Sequence, residues 1–433
     1  MLKNTVDIIT LGCSKNLVDS EKLMRTFAAA GWIARHDSAK VGGEIVVVNT
    51  CGFIDDAKEE SINTILGFIE QKKRRKIGKL FVMGCLSERY KNELEKELPE
   101  VDRFYGKFDW KKIIEDIGVA NNVRARLIDP LQMRVTPLHY SYIKISEGCN
   151  RTCSYCAIPI MTGKHVSRRI DDILQEIALL AQNGTKEFNL IAQDLTYYGL
   201  DIYKKNTLAE LVEKIAKIQG VEWVRLHYGY PQNFPFDLLK VIRETPNVCN
   251  YLDMALQHIS DNMLKSMRRN ISKSATYDLI HKICTEIPDI HLRTTLLLGH
   301  PNETLSDVEE LKNFVREMRF ERLGAFAYSH EEGTFAHKNY ADIIPVEEKN
   351  RRVGEIMDIQ QKISAEINAQ KIGKMLKTII DRKENDYFIG RTEFDSPEID
   401  GEVLISTKKT LKIGEFYNVK ITGAQEFDLE GEI

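Results

Sequence analysis

Three cysteines lie on one short run of eight residues, at Cys149, Cys153 and Cys156. A structural zinc site normally takes four ligands, usually as two separated pairs. Three thiolates can instead hold three irons of a cubane iron–sulfur cluster and leave the fourth iron open to a substrate or cofactor. Incidental packing is the weaker interpretation, because eight cysteines in 433 residues are ordinary whereas three in eight residues are not.

A second set of three cysteines follows three buried strand patterns near the N-terminus. The patterns span residues 7–12, 45–50 and 79–84, and the cysteines that follow them are Cys13, Cys51 and Cys85. A helical pattern follows each strand, which predicts a parallel sheet with repeated βα connections. Ligands bind beyond the carboxyl ends of such strands, so the three thiols can converge on one point. Simple burial of free cysteines is the alternative, and three matching positions count against it.

The middle of the chain predicts a second α/β domain. Residues 124–137, with Pro130 and Pro137, indicate a linker. Six strand patterns alternate with helices after it, at 140–145, 187–192, 222–227, 251–255, 291–297 and 323–328. Six βα units predict an open or partial barrel of the TIM kind, with its active face at the carboxyl ends of the strands. The loop with the first three cysteines follows the first of these strands.

After a long helical pattern at residues 347–370, the sequence pattern of the tail changes from helical to strand-like. Five short strand patterns follow, at 376–381, 387–393, 402–406, 416–422 and 428–432, and they predict a small antiparallel β-barrel similar to an OB-fold. The chain is therefore predicted to be an α/β multidomain protein. We expect domains at 1–123, 138–369 and 370–433, with the linker at 124–137.

Composition restricts the classes of protein that the chain can belong to. Hydrophobic residues make up 43% and charged residues 29%, with a net charge of −3, as in a soluble globular protein without a general basic field. The N-terminus lacks the apolar run and cleavage site of a signal peptide, and no stretch approaches the length of a bilayer span. We expect a cytoplasmic protein with no membrane partner.

The charge of the tail suggests a kind of substrate. From residue 381 to the end, thirteen acidic residues stand against seven basic residues, a net charge of −6. A barrel that recognises tRNA is expected to present a basic groove. An acidic barrel would instead attract a basic protein.

The loop Cys149-x-x-x-Cys153-x-x-Cys156, with Tyr155 before its last cysteine, resembles the signature of the radical S-adenosylmethionine (SAM) superfamily. The N-terminal cysteines and the C-terminal barrel, which is similar to a TRAM domain, narrow the resemblance to the methylthiotransferases. It covers essentially the whole chain. Four runs resemble the branch of that family that modifies a ribosomal protein rather than tRNA. They span residues 11–21, 49–54, 252–259 and 328–334.

The resemblance implies two 4Fe–4S clusters. Cys149, Cys153 and Cys156 would hold the catalytic cluster, and the N-terminal set would hold the other. It also implies SAM as cofactor, both as methyl donor and as the source of a 5′-deoxyadenosyl radical. The implied reaction is methylthiolation of the β carbon of an aspartate in small-subunit ribosomal protein twelve, free or in the ribosomal subunit. An electron donor such as flavodoxin or ferredoxin is implied too, and no tRNA substrate is expected.

Five residues are predicted to bind or orient the cofactor: Tyr155, Gln193, Asp194, Gln257 and Arg293. Tyr155 adjoins the last cysteine of the loop, and the others lie on or just past predicted strands of the barrel. A guanidinium such as that of Arg293 can pair with a carboxylate through two hydrogen bonds. The alternative for each of the five is an ordinary structural role or an ion pair.

One loop departs from the family pattern. Residues 299–304 read Gly-His-Pro-Asn-Glu-Thr, where the family tends to have Gly-Phe-Pro-Gly-Glu-Thr. We expect this loop to contribute to the wall of the SAM pocket, so His300 and Asn302 change its detailed shape.

Two other functions compete with the leading hypothesis. One is a tRNA methylthiotransferase on the same scaffold, which the acidic tail and the run after Cys13 count against. The other is a non-catalytic iron–sulfur protein, such as an electron carrier or sensor. Electron carriers normally close each cluster with four ligands, and such a protein would not need a barrel with an open site.

Overall fold

The computed structural model describes residues 2–117 and 133–433, so most of the predicted linker at 124–137 lies outside the described residues. The chain divides into two compact units. The first runs to Thr136 and takes in Glu147–Asn150 and Ala157–His165. The second comprises Pro137–Ser146, Arg151–Cys156 and Val166–Ile433. Among the described helices, none combines the length and apolar character that crossing a membrane would require.

The first unit contains a five-stranded sheet in the order β2-β1-β3-β4-β5. Its strands are β1 (Leu2–Thr10), β2 (Ile33–His36), β3 (Gly43–Thr50), β4 (Lys79–Gly84) and β5 (Arg103–Phe104). Every pair of neighbours is parallel, as predicted. The sequence patterns predicted β1, β3 and β4 but missed β2 and β5, which are the two edges of the sheet.

Helices cover both faces of this sheet. They are α1 (Ser14–Ala29), α2 (Asp55–Lys73), α3 (Cys85–Glu97) and α4 (Trp110–Asp116), and the same unit also contains α5 (Ile158–Thr162). Val46 and Val48 of β3 pack in one apolar cluster with Ile65 of α2. Val47 lies in another cluster, with Phe27 of α1. Burial on both faces explains why β3 is an unbroken apolar run rather than an alternating one.

The second unit is built on a six-stranded sheet whose strands lie side by side in chain order. They are β6 (Tyr140–Lys144), β9 (Glu187–Ile191), β10 (Trp223–Gly229), β11 (Val248–Met254), β12 (His291–Leu298) and β13 (Arg322–Ala327), with two short strands, β7 (Ser146–Glu147) and β8 (Val166–Ser167), between the first two. All neighbours in the sheet are parallel. Because β6 and β13 are its edges, the sheet is the open barrel that the sequence predicted.

Helices connect these strands and lead to the tail. They are α6 (Ile170–Gln182), α7 (Leu208–Ala216), α8 (Asp237–Glu244), α9 (Asp261–Ser266), α10 (Lys273–Glu286), α11 (Leu305–Met318), α12 (Phe335–Asn339) and α13 (Val346–Ala369). Parallel strands with helical crossovers bring all six carboxyl ends to one edge of the sheet.

The tail forms the predicted five-stranded closed barrel. Its strands are β14 (Met375–Glu384), β15 (Tyr387–Thr392), β16 (Val403–Ser406), β17 (Phe416–Ala424) and β18 (Leu429–Glu432). Four of the five strand pairs are antiparallel, and β16 pairs with β18 in parallel. The prediction of an antiparallel barrel is thus correct except at this one pair.

A loop of the barrel, residues 392–402, reaches the amino ends of the central strands; we call it the docking loop. Its contacts are mostly charged or aromatic: Arg322 with Asp395 at 2.6 Å, the Tyr251 hydroxyl with Asp400 at 2.7 Å, and the His291 ring stacked on Phe394 at 3.8 Å. These contacts bury the carboxylates of the loop against the central sheet.

Glu187, the first residue of β9, is the centre of a buried ion network. It is fully buried, and its carboxylate lies 3.0 Å from Arg225 Nε and 2.8 Å from Arg391 Nη2. Arg391 also pairs with Asp381 at 2.6 Å. Several acidic residues of the tail therefore point inward at arginines. The net charge of −6 does not describe the outer surface of the barrel, and it does not decide between a protein and a tRNA substrate.

Candidate active site

The N-terminal cysteines lie just beyond the carboxyl ends of three neighbouring strands. Cys13 precedes α1 after β1, Cys51 follows β3, and Cys85 begins α3 directly after β4. The buried side chain of Asn16 links these strand ends. Its Nδ2 donates to the carbonyl before Gly12 at 2.9 Å and to the carbonyl before Cys51 at 3.1 Å, and its Oδ1 accepts from the Cys85 thiol at 3.7 Å.

Two glycines allow this close approach. A Cβ added to Gly12 would lie 2.9 Å from the Cys51 sulfur, and one added to Gly52 would lie 2.7 Å from the backbone nitrogen of Leu86. Larger residues at either position would force the strand ends apart. The glycines next to the cysteines thus let the strand ends approach one another closely.

A buried lysine lies against this set of thiols. Lys107 is 2% exposed, and its Nζ lies 3.8 Å from the Cys85 sulfur. Two carboxylates also approach the ammonium, Asp19 at 3.6 Å and Glu147 at 3.4 Å. The lysine therefore offers a positive charge to the thiols, and its own charge is balanced by two acidic neighbours.

The three thiols differ in acidity. Desolvation by surrounding protein raises the pKa of Cys13, although part of the residue is exposed, but Lys15 and the amides at the start of α1 lower the pKa by more. The pKa of Cys13 consequently lies below that of an ordinary thiol. Burial raises the pKa of Cys51, and it raises the pKa of Cys85 to about 12 despite Lys107. Cys13 is the thiol most readily deprotonated by the protein alone.

The loop with the other three cysteines begins on a tight turn. The amide of Cys149 donates to the Gly163 carbonyl at 3.1 Å, and the Asn150 side chain accepts from the His165 amide at 3.1 Å. Gly148 has φ +81°, and a Cβ there would lie 2.1 Å from the Lys164 carbonyl oxygen. Only glycine fits at this position.

Ser154, between the other two cysteines of the loop, is fixed by its backbone and its side chain. Its amide donates to the Met267 carbonyl at 3.0 Å, and its carbonyl accepts from the Ala336 amide at 2.7 Å. The Pro301 carbonyl can only accept, so Nδ1 of His300, at 2.8 Å, carries the proton. His300 Nε2 then accepts from the Ser154 hydroxyl at 3.1 Å. Burial lowers the pKa of His300 to about 4, so the ring is neutral at neutral pH.

His300 thus supports the cysteine loop, and the contribution of its own loop to the SAM pocket stays a prediction. Asn302, the other departure from the family pattern, has φ +74°. That left-handed conformation favours glycine and, among other residues, asparagine. Asn302 therefore stands in a backbone conformation that glycine, the residue the family tends to have there, adopts readily.

Arg269 lies against the cysteine loop within the second unit. Its Nη1 donates to the Cys153 sulfur at 3.4 Å and to the Tyr155 hydroxyl at 3.2 Å, and its Nη2 donates to the Ala255 carbonyl. Tyr155 and Cys153 therefore share one buried arginine as a hydrogen-bond donor. Whether Tyr155 contacts SAM stays a prediction.

Asp194, past the end of β9, has a partner within the protein. Its carboxylate accepts from Arg151 Nε at 2.7 Å and from the Thr196 hydroxyl at 2.6 Å. Since Arg151 belongs to the cysteine loop, Asp194 holds that loop in place. Gln193, its neighbour, is half-buried at the same strand end.

Gln257 and Arg293 lie in different environments. Gln257, past β11, has φ +74°, and its backbone pairs with Thr295 and Leu297 of β12. Its half-buried side chain remains a candidate for cofactor binding. The Arg293 guanidinium instead pairs with Asp253 at 3.2 Å and with Asp400 of the docking loop at 3.4 Å. Arg293 thus has the ion pair that the sequence allowed as its alternative role, and its contact with SAM stays a prediction.

Sequence reasoning missed three residues that contact the cysteines: Asn16, Lys107 and Arg269. Asn16 stands three residues after Cys13 and was quoted only as part of a family run. Lys107 and Arg269 lie far along the chain from the cysteines that they contact, and no spacing or periodicity connects them. Only the fold brings these two basic residues to the thiols.

The cysteines suit clusters better than single metal ions. All eight are free thiols, and among the described residues no three His, Cys, Asp or Glu side chains converge on one ion. In a cubane cluster each cysteine binds a different iron, so convergence of the sulfurs on one atom is not required. Three thiols at neighbouring strand ends, and three more on one short run of the chain, are therefore each a donor set that fits an open 4Fe–4S cluster.

Three domain families match the sequence in the order that the fold shows. The uncharacterized protein family UPF0004 matches residues 5–106, the radical SAM superfamily matches residues 143–315, and the TRAM domain matches residues 372–433. Among solved structures, the radical SAM methyltransferase TsrM from Kitasatospora setae aligns with 88% of this chain and 79% of its own, with a TM-score of 0.56 and 13% identity. That likeness concerns the fold alone.

Curated relatives match along the whole chain. The ribosomal protein uS12 methylthiotransferase RimO of Parabacteroides distasonis is 60% identical over 433 residues, and the alignment covers all of both proteins. The protein of the same name from Christiangramia forsetii is 52% identical, over 99% of this chain and 94% of its own. The chain therefore belongs to the RimO family of ribosomal protein uS12 methylthiotransferases, within the radical SAM superfamily.

Proposed function

We propose that this chain transfers a methylthio group to the β carbon of an aspartate in ribosomal protein uS12. The observation that carries the proposal is the presence of two sets of three cysteines on one chain, each one thiolate short of closing a cluster. Relatives named for uS12 favour this substrate over the tRNA alternative. An aspartate β C–H bond is too weakly acidic for an ordinary base, so its replacement by sulfur needs radical chemistry.

The loop with Cys149, Cys153 and Cys156 would hold the first cluster, which together with SAM supplies hydrogen abstraction and the methyl group when both are bound. The chain's own contribution is to fix the loop. Hydrogen bonds from Ser154 and the ion pair between Arg151 and Asp194 do this. Gln193, Gln257 and Tyr155 are the residues that we propose to orient SAM.

Cys13, Cys51 and Cys85 would hold the second cluster, and we assign the transferred sulfur to that site. Asn16 keeps the three strand ends at a fixed separation through its hydrogen bonds. Lys107 supplies a positive charge to thiolates that would otherwise repel one another in a buried site. Both residues act on the ligands and need no contact with the substrate.

The partners follow from this function. We propose uS12, free or in the small ribosomal subunit, as the substrate, and a flavodoxin or ferredoxin as the electron donor. We propose no tRNA substrate. A cytoplasmic location is part of the same proposal, because the substrate is a ribosomal protein.

Anaerobic turnover with two kinds of substrate tests the proposal. The cluster-reconstituted protein, SAM and a strong reductant are incubated with small ribosomal subunits in one tube and with bulk tRNA in another. Mass spectrometry then follows each substrate. We expect a methylthio mass gain on an aspartate of uS12 and none on tRNA.

The Cys153→Ala variant is the negative control, and Cys284→Ala is its match, because Cys284 is an exposed thiol outside both sets. The first should give no product and the second should act as the unsubstituted protein does. A gain on tRNA alone would move the chain to the other branch. No gain on either substrate, with both clusters intact, would contradict the proposal as a whole.

A further inference from the structure

Tyr230, directly after β10, lies between two guanidinium groups. Arg151 and Arg269 each place their Cζ 4.1 Å from the centre of the Tyr230 ring. The Tyr230 hydroxyl donates to the Arg269 carbonyl at 3.0 Å and lies 3.6 Å from the Cys153 sulfur. The ring faces thus stabilise two cations, and the hydroxyl holds one of them next to a cysteine of the cluster loop.

The two arginines differ in how their charges are balanced. Arg151 pairs with Asp194 at 2.7 Å. Arg269 is 3% exposed, and no carboxylate of the described residues forms an ion pair with it. Its Nη groups contact a thiol, a phenol and a carbonyl, and its Nε is buried without a hydrogen-bond partner.

A buried guanidinium without an anion is unfavourable, because desolvation of the charge is not repaid. The nearest group that becomes anionic on binding iron is the Cys153 sulfur, at 3.4 Å from Nη1. The described contacts therefore identify the Cys153 thiolate as the counter-ion that Arg269 lacks. Hydrogen bonds to cysteine sulfurs and the net charge around a cluster are two factors that set its reduction potential.

We propose that Arg269 is a positioning residue of the first cluster: it donates a charge-assisted hydrogen bond to the Cys153 sulfur and raises the reduction potential of the cluster. The assignment rests on the proposed function, because it requires a cluster at these cysteines. Reduction adds negative charge, so a fixed positive charge nearby stabilises the reduced form. Tyr230 supports Arg269 through its ring and its hydroxyl.

Potentiometric titration followed by electron paramagnetic resonance tests this proposal. The full chain carries alanine at Cys13, Cys51 and Cys85, so that only the first cluster gives a signal, and SAM is left out. We expect Arg269→Met to shift the midpoint potential to a more negative value. Arg269→Lys keeps the charge but cannot reach both Cys153 and Tyr155, so it should shift the potential less. Tyr230→Phe should also give a smaller negative shift.

Arg268→Met is the matched control, because Arg268 is the adjacent arginine and lies over the Phe335 ring instead. It should leave the potential unchanged. An unchanged potential in Arg269→Met with full iron content would overturn the proposal. If Arg269→Met binds no iron, unchanged potentials in both Arg269→Lys and Tyr230→Phe would overturn it. Failure of the proposed function is a separate result, in which the unsubstituted chain holds a cluster but makes no product.

Discussion

Buried arginines lie at both ends of the six-stranded sheet, but their partners differ. At the amino ends the arginines pair with carboxylates: Arg225 with Glu187, Arg391 with Glu187 and Asp381, and Arg322 with Asp395. At the carboxyl ends Arg269 is buried just as deeply, and among the described residues it contacts the Cys153 thiol but no carboxylate.

The arginines at the amino ends stabilise the fold, whereas the arginine at the carboxyl ends lies at the candidate active site. The ion pairs at the amino ends join the C-terminal barrel to the sheet. Because these charged groups are paired with one another, they are not available to bind a ligand. We proposed above that the Cys153 sulfur becomes the counter-ion of Arg269 when it binds iron. In barrels of this kind the amino ends generally serve stability and the carboxyl ends carry the chemistry. The predictions below test whether the two ends are separable.

The largest expected effect is at the carboxyl ends. Cys153→Ala removes one of three cluster ligands, so product formation should fall by at least about 10³-fold. The thermal unfolding midpoint should fall as well, because Arg269 loses its counter-ion together with the cluster, so turnover is compared per folded molecule. Turnover and calorimetry on the same preparation check this, with Cys284→Ala as the control. A large fall in stability with retained turnover would break the comparison.

Glu187→Gln should produce the opposite result at the amino ends. It leaves Arg225 and Arg391 without their shared carboxylate, which should lower the free energy of unfolding by about 3–5 kcal/mol. Turnover per folded molecule should not change. Glu222→Gln is the matched control, because Glu222 forms an exposed ion pair with Lys377 at 3.1 Å and should cost about 1 kcal/mol or less. Denaturant titration measures both changes, and equal effects would refute the role of the buried network.

The amino ends should also weaken in acid. Burial lowers the pKa of His291 to about 3, with Lys371 and Arg322 lowering it further and Asp395 opposing them. Between the unfolded pKa of about 6.5 and the folded pKa, the unfolded chain binds a proton that the folded chain does not. Stability is therefore complete above the unfolded pKa, and it falls by about 1–3 kcal/mol as the pH drops from 7 to 4.

His291→Phe isolates this effect, because the ring can still stack on Phe394 but no longer titrates. The variant should lose less stability in acid than the unsubstituted protein. His281→Phe, at an exposed histidine, should leave the pH dependence unchanged. Parallel pH profiles for the protein and His291→Phe would show that another group causes the loss.

The smallest expected effect concerns the loop after β12. Asn302 has φ +74°, so Asn302→Gly should change the free energy of unfolding by less than about 1 kcal/mol. Asn302→Val should cost more, about 1–2 kcal/mol, because a β-branched residue is strained in that conformation. Denaturant midpoints of the two variants check the order. A reversed order would mean that the Asn302 side chain, and not its backbone, matters there.

Strands with long apolar runs could be predicted from the sequence, whereas edge strands could not. The valine run of β3 is unambiguous because both of its faces are buried. The edge strand β2 (Ile33–His36) mixes apolar and polar residues, and β5 has only two residues. Neither carries a pattern that distinguishes a strand from a loop.

The cysteines could be predicted as site residues because spacing and strand ends place them, but their neighbours could not. Arg293 and Arg269 are both arginines that lie far along the chain from Cys153. One pairs with Asp400 of a distant loop and the other with a thiol, and nothing local distinguishes them. The acidic tail was weak evidence for a protein substrate for the same reason, since a count of carboxylates does not show which of them face arginines in the interior.

An iron count most directly tests the claim that this chain carries two open clusters. Mössbauer spectra would be compared for the reconstituted protein, for the variant with alanine at Cys13, Cys51 and Cys85, and for the variant with alanine at Cys149, Cys153 and Cys156. The account predicts about eight irons per chain in the protein and about four in each variant, all as 4Fe–4S clusters. An unchanged count in the first variant would contradict the second cluster and, with it, the proposed source of sulfur.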